Sequence, residues 1–313
     1  MELAPGELGF DPDPQTLALR LSRAREALKL AAGLPKVPRV VLSVISQLRE
    51  RNVSTSRLSA EIERDPTLTA QVLRLANSPF YAGRRQVGSI HEAVGLVGTN
   101  ALQTLVLAGG ISGAFGRVPG VDLRAYWMDA TAAGHAARTL AGLVDEDREA
   151  AFLAGLLHGT GHLILCCLHG HALELPLASI RRPRGAALAA IEREHTGLAH
   201  PEVGAAWLDG LGLPERIVQA VAMQLQPQAL NEPGLAALVR LSLSMVAALD
   251  AGIAAADAIA QLDARAIALF DRQRRSGADS FGQRLVRPLT DWADLEPAFQ
   301  GGRDATASSG RQP

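Results

Sequence analysis

Cysteine is almost absent from this 313-residue chain, which holds two, Cys166 and Cys167, side by side. Adjacent cysteines bridge each other only with strain, so no disulfide framework is available, and buried reduced thiols in an apolar run are expected. No basic neighbour in the sequence marks either thiol as activated. Aromatics are scarce at 4% against 48% hydrophobic residues. Ala and Leu must therefore fill the interior, which favours close-packed helices over a sandwich of β-branched and aromatic strands. An excess of charge of either sign is also missing. The 31 basic and 32 acidic residues leave a net charge of -1, which excludes a global electrostatic drive toward nucleic acid or anionic membrane. The start, Met1-Glu-Leu-Ala-Pro-Gly-Glu, has no basic region leading into an apolar core. No secretory leader is expected there, and a cytoplasmic location follows as the expectation. Ala150 to Leu168 contains no Asp, Glu, Lys or Arg and raises the question of a membrane span. His158, Gly159, Gly161 and His162 interrupt it, so a buried pair of core helices is expected instead.

What is present is dense helix punctuation. Asp65 suits an N-cap and Pro66 the position after it. Leu68, Val72 and Leu75 then share one face, and Asn77-Ser-Pro79 stops the helix. Ser89 and Glu92 have capping-box spacing before Ile90, Ala93, Val94 and Val97, with Gly98 free to take a left-handed cap. Further helices are expected at about 14–32, 37–51, 54–64 and 100–112. Beyond a 116–120 linker they continue at 122–140, 148–157, 163–167, 186–195, from Pro201, from Pro214, and at 234–249 and 257–270. No segment up to 115 alternates with the two-residue period of a strand. An Arg-rich stretch (Arg272, Arg274, Arg275) leads into a Gly/Ser-rich end, Gly301 to Gly310, too poor in apolar residues to order itself.

The order of five pieces is more specific than any of them. Leu34-Pro-Lys-Val-Pro38, Asp65-Pro-Thr-Leu-Thr-Ala, Leu75-Ala-Asn-Ser78, Ser89-Ile-His-Glu-Ala-Val94 and Ala151-Phe-Leu-Ala-Gly-Leu-Leu-His158 together resemble the HDOD domain family over roughly residues 34 to 230. The resemblance implies an all-α fold: an N-terminal helical array packed on a degenerate HD-like bundle, then C-terminal helices and a disordered tail. It implies an extension at 1–33 and an HDOD module at 34–230, divided into 34–115 and 121–230. Helices at 231–270 and a tail at 271–313 complete the division.

HDOD modules are similar to HD-type phosphohydrolases, whose His, His-Asp and later Asp ligands hold metals that lower the pKa of water and clamp phosphoryl oxygens. Here His158 takes the paired His position, but Gly159 follows it and supplies no carboxylate. Asp129 lies near where an upstream His is expected, with His135 two turns on. His200-Pro-Glu-Val-Gly resembles the family's His-x-Glu-Val-Gly segment. Met223 and Gln224 stand where many relatives carry two histidines. His158 and His162 share the four-residue spacing of zinc peptidases, but the general-base Glu is again Gly159. The degenerate-site candidates are therefore His158, His162, His200 and Asp129, and no catalytic, metal-binding or cofactor-binding residue is assigned. His169 and His171 are expected in an exposed loop, His195 at a helix end, and His91 on an exposed face. Arg84-Arg85, after Phe80-Tyr81, are candidate anion or partner contacts. The expectation is a non-catalytic signal-transduction module that binds a protein partner. Two alternatives remain: a residual phosphohydrolase acting on a nucleotide or cyclic dinucleotide, and a nucleotide or nucleic-acid sensor without catalysis.

Overall fold

The computed structural model describes residues 14–50, 55–77, 81, 86–178, 184–226, 234–251 and 253. Among them every regular element is a helix. In chain order they are α1 (Pro14–Leu30), α2 (Arg39–Glu50), α3 (Thr55–Glu63), α4 (Pro66–Ala76), α5 (Ile90–Gly113) and α6 (Leu123–Val144). Then follow α7 (Arg148–Leu157), α8 (Thr160–Ala178), α9 (Gly185–Thr196), α10 (His200–Leu211), α11 (Glu215–Met223) and α12 (Gly234–Asp250). The expected helix at 257–270, the Arg272–Arg275 stretch and the tail lie outside the described residues.

The punctuation works as its chemistry dictates. Asp65 Oδ1 accepts from the N–H groups of Thr67 and Leu68, each at 3.0 Å, which satisfies two of the donors a helix start leaves open. Asp122 and Asp147 cap α6 and α7 in the same way. Ser89 accepts from the Glu92 amide at 3.2 Å, but Glu92 returns its carboxylate to the N–H of Gly88 at 2.9 Å rather than to Ser89. The box is thus displaced by one residue. Gly98 breaks α5 with φ +82° and ψ 168°, and the helix resumes at once. Asn77 does more than end α4. Its Nδ2 donates to the Val87 carbonyl at 2.8 Å, and its Oδ1 accepts from the Val87 N–H at 2.7 Å. This pair of bonds clasps the two ends of the 78–86 connection.

Helices α2, α3 and α4 pack on α5 through Val41, Val44, Leu58, Ile62, Leu68, Val72, Leu102 and Leu105, all 0–1% exposed. Helix α5 also meets α7, and α7 lies along α6, so one apolar cluster runs through both halves. Helix α1 crosses to α10, where Arg25 and Asp209 approach to 3.1 Å at the surface. Tyr81 reaches inward from the array. Its ring stands edge-on to His135 and Phe152, at 5.7 and 6.0 Å, and its hydroxyl donates to Glu149 at 3.2 Å.

Ile90–Gly113 and the 148–170 stretch are long and apolar enough to cross a bilayer, by length and composition only, and most of each is buried inside the fold. His169 and His171 fall within α8 and not in a loop. The glycines at 159 and 161 sit in and just after a one-turn break, and the apolar run up to Cys167 simply carries the helix on. His169 is exposed there. His91 is exposed on α5 and His195 lies in the last turn of α9. Arg84 and Arg85 lie outside the described residues.

Candidate functional site

The turn between α7 and α8 is the centre of the site. His158 closes α7, Gly159 turns the chain, and Thr160 opens α8 with its hydroxyl donating to the Leu157 carbonyl at 2.9 Å. Gly161 must be glycine. A Cβ there would meet the His200 carbonyl oxygen at 2.1 Å and the Gly204 nitrogen at 2.5 Å. Both are backbone atoms and cannot swing aside. The start of α8 therefore touches the start of α10 backbone to backbone, which carries His200 to the side of His162.

Glu192, from α9, joins those two histidines. It is fully buried, and His162 Nδ1–H donates to its Oε1 at 2.8 Å. His200 Nδ1–H donates to Oε2 at 2.6 Å, and the His200 backbone N–H to the same oxygen at 2.8 Å. Burial alone would raise the Glu192 carboxyl, but the two imidazoles outweigh it and hold it down at about 2. Burial would likewise lower His162. The sulfur of Cys166 and the Glu192 carboxylate reverse this and hold the imidazole up at about 10, so the site keeps a His162 cation against a Glu192 anion at neutral pH. Cys166 Sγ lies 3.6 Å from His162 Nε2. This corrects the expectation that neither cysteine has a basic neighbour, because helix geometry stacks residue 166 over residue 162.

His158 behaves differently. Desolvation pushes it down to about 4; the Gly155 hydrogen bond opposes this, and the nearby His200 and Arg184 add to it. Its Nδ1–H donates to the Gly155 carbonyl at 2.7 Å. The neutral ring therefore keeps its Nε2 lone pair as an acceptor. Its own carbonyl accepts from Gln224 Nε2 at 2.7 Å. Asp129, one helical turn along α6 from Ala125, pairs with Arg184 at 2.9 Å.

Tyr126 crowds the position of the missing acid at 159. A Cβ on Gly159 would lie 2.6 Å from the hydroxyl of Tyr126. That hydroxyl is buried and meets no hydrogen-bond partner, and desolvation holds the phenol neutral, well above its usual range. His135, the other upstream histidine, is not part of this group. It lies against Phe152 at 4.8 Å between ring centroids, and burial keeps it neutral.

His158, His162, His200 and Asp129 line one cavity of about 650 Å³, together with Tyr126, Arg184, Gln224 and Arg240. Glu192, Arg184 and Tyr126 carry much of the arrangement, and none was a sequence candidate. The donor set does not fit the metal of an HD site. Among the described residues no three His, Cys, Asp or Glu side chains converge as a metal would need. His162 is tied to Glu192, Asp129 faces an arginine, and a phenol crowds the position beside Gly159 where the bridging carboxylate would start.

A family model described as HDOD domain matches residues 34–227. A curated relative, an uncharacterized protein of Treponema pallidum (strain Nichols), is 24% identical over 213 residues; the match takes in 66% of this chain and spans 41% of that protein. Among solved structures, an HDOD domain protein of unknown function from Geobacter sulfurreducens superposes with a TM-score of 0.75 at 22% identity, covering 91% of this chain and 98% of that one. A candidate phosphohydrolase from Shewanella amazonensis SB2B gives 0.69 at 22%, covering 92% and 100%. A candidate signal transduction protein from Marinobacter aquaeolei VT8 gives 0.63 at 23%, covering 96% and 69%. At these identities the structures share the fold with this chain, and the names remain theirs.

Proposed function

The chain belongs to the HDOD domain family, and we propose that it works as a non-catalytic signal-transduction module of the cytoplasm that acts by binding a protein partner. One observation carries the non-catalytic half of this reading: residue 159 is glycine and has no carboxylate, and the Tyr126 hydroxyl would lie 2.6 Å from a Cβ placed there. Hydrolysis of a phosphoester by an HD-type site requires a metal to activate water and to neutralise charge on the phosphoryl oxygens. His158 keeps its Nε2 lone pair, but Gly159 gives it no neighbouring carboxylate and Asp129 is paired with Arg184. The name of the Marinobacter neighbour agrees with a signalling role, and the family's structural residues, such as Asn77 and Asp65, are used in full. With its scaffold kept and its chemistry removed, such a fold presents a surface to a partner.

The experiment is metal counting by elemental analysis of chelator-treated protein re-equilibrated with manganese, iron and zinc, followed by a phosphoester turnover screen. The expected result is less than stoichiometric metal and no turnover above background. One tightly held metal per chain, with turnover that vanishes in His158→Ala, would overturn the reading in favour of a residual phosphohydrolase.

A further inference from the structure

The non-catalytic reading leaves the 650 Å³ cavity without a use, although its size falls within the roughly 300–1,000 Å³ of ordinary small-molecule sites. Its walls are of three kinds. On one side is the N-terminus of α9, a helix of 12 residues. Arg184 is its N-cap and makes no side-chain cap bond, and the first helical bond runs from the Leu188 N–H to the Arg184 carbonyl. The N–H groups of Gly185, Ala186 and Ala187 therefore have no helical acceptor, and all three residues line the cavity with small side chains or none. Arg240, from α12, brings its Nη1 within 3.9 Å of where a Cβ on Gly185 would lie. Open first-turn amides, the positive end of a helix and a guanidinium together make an anion site.

The second wall holds acceptors. Gln224 is fully buried and donates both to the His158 carbonyl and to the Val221 carbonyl. This fixes its amide orientation and leaves Oε1, which meets no donor from the protein. His158 Nε2 is a second acceptor. A buried acceptor without a donor, as Gln224 Oε1 is, is costly to a folded chain unless something supplies the hydrogen. The third wall, from Leu188, Leu243, Val246 and Ala247, is apolar. The carboxylates around the cavity already have partners. Asp129 is paired with Arg184, Glu192 is shared by His162 and His200, and Asp122 accepts from the Arg124 and Ala125 N–H groups.

We propose that this cavity binds a nucleoside monophosphate, its phosphate on the first-turn amides of α9 beside Arg240 and its base offering N–H donors to Gln224 and His158. A phosphate is a tetrahedral anion that accepts from several directions, which suits amides and a guanidinium together. A nucleobase combines an apolar face with N–H edges, which matches the remaining two walls. The ligand is bound and released unchanged, so the cavity is an input to the module rather than a catalytic centre.

The test is isothermal titration calorimetry of the full chain with AMP, GMP, CMP and UMP, with the corresponding nucleosides and with orthophosphate. At least one monophosphate should bind saturably, and its nucleoside at least about tenfold more weakly. Ala187→Asp places a carboxylate in the first turn of α9, where it favours the helix but repels a phosphate. It should keep the melting temperature and lose at least about tenfold in affinity, as should Arg240→Gln. Failure of all four monophosphates to saturate at millimolar concentration, or full affinity in Ala187→Asp, overturns the proposal. The two readings fail separately. Hydrolysis of a bound monophosphate on addition of metal, abolished in His158→Ala, would sink the non-catalytic reading and leave the binding site standing. Absence of binding would sink the site alone.

Discussion

The helical array and the HD-like bundle bury different things. Within α2–α5 the described buried residues are nearly all aliphatic, with Gln103 and Thr104 the exceptions, and Thr104 needs only the Asn100 carbonyl one turn back. Within α6–α12 the interior holds His135, Glu192, His200, Glu202, Gln224 and Ser242. The array is held by transfer of apolar surface from water, which is non-directional and tolerant of exchange among residues of similar volume. The bundle is held in part by a charged triad whose geometry must be met at every contact. A purely structural domain has no need of the second arrangement. Its cost marks the bundle as the half that presents a site and the array as the half that supports it.

The largest effect that separates the two halves is expected from Glu192→Gln. The substitution leaves His162 and His200 sharing a neutral amide, with a buried cation unpaired. Breaking one partner of a buried pair costs about 3–5 kcal/mol, whereas Gln103→Leu in the array should change stability by less than about 1.5 kcal/mol. Urea denaturation of both variants checks this. Equal losses would show that the triad is no more demanding than the aliphatic core.

Acid should also distinguish the halves. His158 is held down to about 4, and burial lowers His135 as well, so each binds its proton less readily folded than unfolded. Their contribution to stability is complete above about pH 6.5 and falls as pH drops toward 4. Glu192 is held at about 2 against an ordinary 4.5, so its contribution persists to about pH 4.5 and is lost below. On the alkaline side, His162 contributes fully below about 6.5 and loses that contribution as pH rises through about 10. Hydrogen exchange at pH 5 should show amides of α6 to α10 losing protection before those of α2 to α5. Uniform loss across both halves, or none, would refute the assignment.

The smallest effect belongs to the array's edge. Asp65→Ala removes a cap that satisfies two amides and should cost about 1 kcal/mol, readable as a lowered melting temperature with unchanged behaviour at the cavity. A change in the cavity's ligand binding would mean that the halves are coupled more tightly than their packing implies.

Much of this was legible in the residues. Caps such as Asp65, Asp122 and Asp147 act on N–H groups two or three positions away, and helical faces repeat every few residues, so the all-α class and most element limits can be read directly. His158 and the glycine after it were equally plain, because a lost carboxylate is visible in the letters. Glu192 was not. It serves His162 and His200, 30 and 8 residues away, only because Gly161 lets α8 and α10 touch through their backbones. Tyr126 was not either, since nothing in a sequence says that a hydroxyl on α6 will crowd the position beside residue 159. The sequence by itself determined the helices, the family and the loss of the acid, all of which depend on neighbours along the chain or on a single identity. Only the tertiary structure decided what crowds the acid's position, which histidine carries the charge, and that a cavity remains. Those depend on burial and on distances between side chains from different helices, which packing alone sets.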